Sequence, residues 1–296
     1  MRYALTIAYD GSDFHGWQEQ APRLAGDTKC PSSSTAPDEL RTVQGVLRAT
    51  LQQVLQQPIT LVGASRTDTG VHALGQVAHF DADNVRIPLE RMTLAINSHL
   101  PDDIDIRDVR IVSDHFDAIR HAVEKQYRYR IWNTSHRPLM IRKQVHHCWY
   151  TLNVDAMNDA AQRLIGEHDF AGFANADHDR LTTVRTIFDC RVLSIPDCRL
   201  PIKGDASQSE IGNPKSEINI LVRGSGFLYN MVRIITGTLI EVGRGTMPPE
   251  HIDELLRHPN RQNAGPTAPP QGLYLEWIRH VPPPPTDPYA RLLPIL

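Results

Sequence analysis

The feature that most constrains the fold is an alternation of strand-like and helix-like segments that the chain runs through twice. Arg2–Tyr9 reads as a strand, and Thr42–Leu55 reads as a helix because Val43, Leu47, Leu51 and Val54 recur at helical spacing. Ile59–Arg66 and Gly75–Ala82 read as strands around a turn, Leu89–Leu100 as a helix and Ile104–Val112 as a strand. Past Ser113 the pattern returns, with strands at Gln126–Trp132, Thr183–Ser194 and Glu217–Val222 and helices at Val154–Ile165 and Leu228–Val242. The expectation is an α+β protein of two related halves, residues 1–113 and 114–281, followed by a Pro-rich tail at 282–296.

Two polar stretches interrupt this pattern. Residues 21–41 and 201–215 are rich in Pro, Ser, Gly and Asp, which fits surface insertions rather than packed elements. Pro282–Pro285 is expected to be extended.

A length of 296 residues allows two moderate cores, and 41% hydrophobic residues fit a soluble globular protein. No apolar run reaches the roughly 20 residues of a spanning helix, and the start MRYALTIAYDG lacks the parts of a signal peptide, so a cytoplasmic protein with no membrane partner is expected. Cys30, Cys148, Cys190 and Cys198 form no C-x-x-C pair or zinc quartet and read as reduced thiols. The formal net charge of −3 gives no sign of a nucleic-acid binder, but charge is unevenly placed. From Arg120 to Lys143 the cations are Arg120, Lys125, Arg128, Arg130, Arg137, Arg142 and Lys143, against the one acid Glu124. That stripe can face phosphates or simply be a solvated surface.

The stretch from Gly63 to Phe80, GASRTDTGVHALGQVAHF, carries the chemistry. A strand-like run stops at a glycine-containing turn that holds one arginine and one acid. If the backbone is still extended there, Arg66 and Asp68 share a face, since alternate strand residues do. Gly70 permits a turn that a side chain would hinder, leaving Asp68 accessible at the tip. Asp68 can also simply cap the turn through the amide of Gly70. Asp68-Thr69-Gly70 is, besides, the triplet of aspartic proteases, but the chain has no second copy, and Arg66 favours an ionised carboxylate over a shared proton.

This stretch resembles the G-R-T-D-A-G-V-H motif of the tRNA pseudouridine synthase A family, and further blocks agree in order. YDGSDFHGWQ (Tyr9–Gln18) resembles the family's N-terminal signature, and KQYRYRIWN (Lys125–Asn133) its K-x-Y-x-Y strand. HDFAGFA, VRTI, GFLYNMVRIITGTLIEVGRG (Gly226–Gly245) and GPTAPPQGLYL (Gly265–Leu275) resemble later blocks. The departures are Thr69 where alanine is common, Ser65, and the two insertions.

The resemblance implies two α/β halves whose antiparallel sheets join into one larger sheet, with the catalytic cleft between them. It implies a homodimer that isomerises uridine to pseudouridine in the anticodon stem-loop of tRNA, at positions 38–40, with no cofactor and no metal. By it, Asp68 is the nucleophile on ribose or base, Arg233 its counter-charge, and Tyr127 the ring against the target base, with Leu273 beneath. Arg66 fills the space left by the flipped uridine, and Arg128, Arg130 and Lys143 meet phosphates. The residues themselves add two points. Arg233 lies off the apolar stripe of Leu228, Met231, Val232, Ile235, Leu239 and Val242, and Tyr127, Tyr129 and Ile131 share one strand face opposite Arg128 and Arg130. The rival from another class is an RNA-binding module or chaperone of the same fold that has lost the chemistry.

Overall fold

In a computed structural model, which describes residues 1–19, 40–175, 182–195 and 217–281, the chain divides into two compact units. One consists of the described residues of Met1–Ala122 and Trp277–Leu296, the other of those of Val123–Glu276. The insertion read at 201–215, the tail at 282–296, Cys30 and Cys198 lie outside the described residues, as does the insertion at 21–41 apart from its last two positions.

In the first unit, β1 (Arg2–Tyr9) is buried on both faces, as its apolar run dictates, and pairs antiparallel with two strands. Helix α1 (Val43–Leu55) starts where the Thr42 hydroxyl accepts from the Gly45 amide at 3.3 Å, and buries Val43, Leu47 and Leu51. Next come β2 (Val62–Gly63), β3 (His72–Asp81), α2 (Leu89–Asn97) and β4 (Ile104–Val112). The strand order is β4-β1-β3, with β2 on β3, and α2 packs on α1 and β4.

In this unit two elements end earlier than the sequence suggests. The strand expected at Ile59–Arg66 pairs only over β2, because from Ser65 onward the backbone turns to a side chain: the Ser65 amide donates to Gln76 Oε1 at 3.2 Å and the Gln76 amide donates back to the Ser65 carbonyl. The helix expected to reach Leu100 ends at Asn97, whose side chain bonds the β4 backbone at Ile106 in both directions, at 2.8 and 3.0 Å.

In the second unit, β5 (Ala122–Asn133) keeps the expected alternation, with Tyr127, Tyr129 and Ile131 buried and Arg128 and Arg130 half-buried. It is followed by β6 (His146–Cys148), α3 (Val154–Gln162), β7 (Gly166–Asp169), β8 (Val184–Ile195) and β9 (Glu217–Gly224). Their antiparallel order is β5-β9-β8-β7, and β6 adds parallel to β5. Helix α3 is capped by Asn153 and packs on β8 and on α4 (Met231–Gly243). Helix α5 (His251–Arg257) follows, and strand β10 (Leu273–His280) begins in this unit, its residues from Trp277 onward belonging to the first. Cys148 and Cys190 are buried free thiols, and burial pushes both above the usual thiol range. Among the described residues no helix is long and apolar enough to cross a membrane.

The sequence places one apolar stripe on α4, yet only Arg233 and Glu241 escape burial along it. Glycine makes this possible. A Cβ on Gly237 would stand 1.7 Å from the Pro266 carbonyl oxygen, so the segment Gly265–Ala268 lies against the helix backbone itself. Gly237→Ala must therefore push that segment away, and we expect a loss of about 2 kcal/mol or more in urea unfolding. An unchanged midpoint would show the approach to be loose.

Candidate active site

The functional side chains stand on two frames. Arg66 and Asp68 belong to the first unit; Tyr127, Arg128, Arg130, Lys143, Arg233 and Leu273 belong to the second.

In the first unit, residues 65–71 leave the β-ladder and are held from the side by the N-terminal segment. The Trp17 amide donates to the Thr67 carbonyl at 3.0 Å, and the Gly70 amide to the Phe14 carbonyl at 3.4 Å. The Tyr9 and Thr67 hydroxyls are 2.7 Å apart and buried. Gly16, at φ +88, is what allows this contact, because a Cβ there would stand 2.6 Å from the Thr67 carbonyl oxygen. The loop closes with a bond from the Val71 amide to the Asp68 carbonyl at 3.1 Å, and Gly70 has φ +77.

Although this segment is not a strand, its side chains still alternate: Ser65 and Thr67 are buried, Arg66 is exposed and Asp68 is half-buried. Arg66 and Asp68 thus occupy the less buried positions of the loop. Asp68 carries further interactions of its own.

In the second unit, Tyr127 is buried with its ring edge-on to Phe227, the centroids 5.1 Å apart. Leu273 is buried at the start of β10. Tyr129, on the same face as Tyr127, is completely buried and donates to the Pro269 carbonyl at 2.7 Å; burial pushes its hydroxyl far above the usual range, against the opposing effect of Arg233. Arg233 lies in the first turn of α4, where its Nε donates to the Ala268 carbonyl and its Nη1 to Asn230 Oδ1, both at 2.8 Å.

The arginines of β5 have carboxylate partners that the sequence does not reveal. Arg130 meets Glu217 through two bonds of 2.8 and 3.0 Å, and Arg128 Nε lies 3.0 Å from Glu276. Both guanidinium groups also lie 5.7 Å from the ring centre of Tyr274. Burial raises the Glu217 carboxyl, but the bonds and charge of Arg130, with Asn219 and Arg128, overcome this and hold it below the usual carboxylate range. In contrast, Arg120, Arg137, Arg142 and Lys143 are exposed. Among the described residues no group of three His, Cys, Asp or Glu side chains could hold a metal ion.

Gln76, Asn230, Glu217 and Glu276 are the residues that reading the sequence missed. For Asn230 a local signal exists, since asparagine is one of the few residues that take its left-handed backbone (φ 59) readily. Glu217 and Glu276 act across long sequence distances and give none, and Gln76, 11 residues from its partner Ser65, carries no pattern that marks it.

The family described as tRNA pseudouridine synthase matches this chain over residues 7–119 and 160–280. The chain is 39% identical over 271 residues to the tRNA pseudouridine synthase A of Thermoanaerobacter sp. (strain X514), covering 92% of this chain and 96% of that relative. It is 39% identical over 275 residues to the tRNA pseudouridine synthase A of Bacillus subtilis (strain 168), and 40% identical over 274 residues to that of Ruminiclostridium cellulolyticum (strain ATCC 35319 / DSM 5812 / JCM 6584 / H10). Each of these two alignments covers 93% of this chain and 97% of the relative. This chain belongs to the tRNA pseudouridine synthase family, and its α+β fold is that family's.

The Arg130–Glu217 pair yields a pH prediction. A carboxyl lowered in the folded state stabilises the fold above the carboxylate's ordinary range, and that contribution is lost as pH falls through the folded value. Glu217→Gln should therefore melt below the wild type at neutral pH, with the gap closing below the ordinary value of 4.5. A gap that stays constant down to acid would show that the pair contributes nothing through charge.

Proposed function

We propose that this protein is a tRNA pseudouridine synthase that converts uridine to pseudouridine in the anticodon stem-loop, at tRNA positions 38–40. The observation that carries this reading is membership of the family together with an intact R-T-D-T-G loop in which Asp68 stays partly accessible. The reaction is an isomerisation. The bond from ribose C1′ to N1 breaks, the uracil turns, and C1′ joins C5; the C5 proton is released and N1 takes one up. Atoms and electrons balance without an oxidant, a reductant or a metal, so the reading needs no cofactor.

Each residue then has a role. Asp68 is the nucleophile that holds the detached fragment, and Arg233 is the counter-charge that keeps it ionised. Tyr127 offers the uracil an aromatic face and a hydroxyl for proton transfer at C5, and Leu273 packs beneath the same base. Arg66 occupies the gap in the RNA stack after flipping. Phosphates fall to the exposed cations Arg137, Arg142 and Lys143 more than to Arg128 and Arg130, whose charges Glu276 and Glu217 already balance. The protein would work in the cytoplasm as a homodimer, off the membrane; this part rests on the family resemblance, and sedimentation of the purified protein tests the dimer.

Incubation with unmodified tRNA, followed by mapping of modified positions, tests the reading as a whole. Pseudouridine should appear at positions 38–40 and nowhere else. Binding without conversion would leave an RNA-binding module in place of an enzyme, and conversion elsewhere would overturn the assignment of the stem-loop. Replacing Arg137 and Arg142 by Ala should lower affinity for all tRNAs and reduce the salt slope by about 2, because two phosphate contacts are lost. Arg130→Ala should chiefly lower the melting temperature. The opposite division of effects would return the phosphate role to β5.

A further inference from the structure

Trp149 stands at the surface of the second unit, although an aromatic side chain of its size gains more than most from burial. It is 65% exposed, whereas the other three tryptophans of the chain, Trp17, Trp132 and Trp277, are buried or half-buried. The backbone on both sides of it is fixed. Directly after β6, the buried Asn133 donates through Nδ2 to the carbonyl of Cys148 at 2.8 Å and to that of Tyr150 at 2.6 Å. Two rings neighbour the indole, His147 at 6.2 Å and the exposed Tyr150 at 5.0 Å between centres. His147 Nε2 in turn donates to the Thr134 carbonyl at 2.9 Å, and the Arg244 guanidinium lies 4.2 Å from the ring centre of Tyr150. The result is a row of rings on the surface, anchored at each end.

The surroundings of the row are cationic. Between Glu124 and Asp155 the sequence holds no acid. The loop that begins at Thr134, bonded to His147, and ends at Gln144, whose carbonyl accepts from the Tyr274 hydroxyl at 2.7 Å, exposes Arg137, Arg142 and Lys143. At the Tyr150 end, the carboxylate of Glu241 is met by Arg244 at 2.9 and 3.2 Å and by the Thr246 hydroxyl at 2.6 Å. Exposed rings beside cations suit an unpaired nucleotide, whose base stacks on a ring while its phosphates meet positive charge. The same loop exposes Leu139 and Met140, which would suit a second copy of the chain. A twofold contact, however, sets a patch against itself and would bring these cations up to their own copies. RNA fits both the rings and the charges.

We propose that Trp149 is a stacking platform for an unpaired base of the tRNA, other than the uridine that is converted. Arg244 directly follows α4 and Arg233 lies in its first turn, so the helical rise puts the two roughly 16 Å apart along the helix. The base on Trp149 is therefore not the base whose chemistry is assigned to Arg233. The proposal rests on the reading that tRNA is bound through phosphates at Arg137, Arg142 and Lys143.

The test is equilibrium binding of unmodified tRNA to the full-length protein over a range of salt, for the wild type, Trp149→Leu and Trp149→Phe, with sedimentation of each. Trp149→Leu should weaken binding about tenfold at every salt concentration and leave the salt slope unchanged, because a stacked base is lost and no phosphate contact is. Trp149→Phe keeps a ring and should recover most of that loss. Affinity of Trp149→Leu within twofold of the wild type would overturn the proposal, as would a lowered salt slope or a Phe variant as weak as the Leu variant. A Trp149→Leu protein that sediments as a smaller species would also overturn it, by making the row a contact between copies of the chain. Loss of the salt dependence in the wild type itself would remove the phosphate reading and the proposal with it, whereas a steep wild-type slope with Trp149→Leu unaffected would remove the proposal alone.

Discussion

The first unit depends on how a loop without ladder partners is kept in one conformation. Residues 65–71 give up β-pairing after Ala64, whose amide still donates to the Val77 carbonyl at 2.8 Å, and a backbone freed in this way must find other partners or be hydrated. Gln76, completely buried, supplies donor and acceptor to Ser65; Trp17 and Phe14 supply backbone partners to Thr67 and Gly70. Each of these bonds is made at or before a residue of YDGSDFHGWQ or within β3, so the N-terminal signature and the R-T-D-T-G loop form one device although some 50 residues separate them. Its result is a short segment of alternating burial, with Ser65 and Thr67 buried, Arg66 exposed and Asp68 half-buried.

The second unit meets a different constraint, that of placing cations on a largely buried frame. Helix α4 is buried nearly all round, and its one exit for a charged side chain near the amino end is Arg233, held by neutral oxygens. On β5 the arginines are instead matched by carboxylates, Arg130 by Glu217 and Arg128 by Glu276. Both β5 guanidinium groups also flank Tyr274.

Much of this was legible in the sequence because it is local. The period-2 pattern of KQYRYRIW foretold the buried Tyr127, Tyr129 and Ile131, and the spacing in Thr42–Leu55 foretold α1 with its Thr42 cap. Arg233 was correctly separated from the apolar stripe, though Ile234, Thr236 and Ile240 are buried as well, since the helix is covered on more sides than one stripe implies. Strand β7 (GEHD) and the seven-residue α5 were missed because four polar residues and two helical turns carry no readable period. Glu217 and Glu276 were invisible for a physical reason: their partners are distant in sequence, and only the folded chain brings them together. The roles of Asp68, Arg66 and Leu273 came from resemblance, not from periodicity.

The central claim is that the carboxylate of Asp68 does the chemistry, and Asp68→Asn tests it most directly because it keeps the shape of the side chain and removes its nucleophilic charge. Conversion of unmodified tRNA and binding of the same tRNA should be measured on one preparation with a cooperative melt. The account predicts no detectable pseudouridine and an affinity within roughly tenfold of the wild type, about 1.4 kcal/mol, because binding rests on phosphate and stacking contacts that the change leaves in place. Pseudouridine formed by the variant at a substantial rate would contradict it.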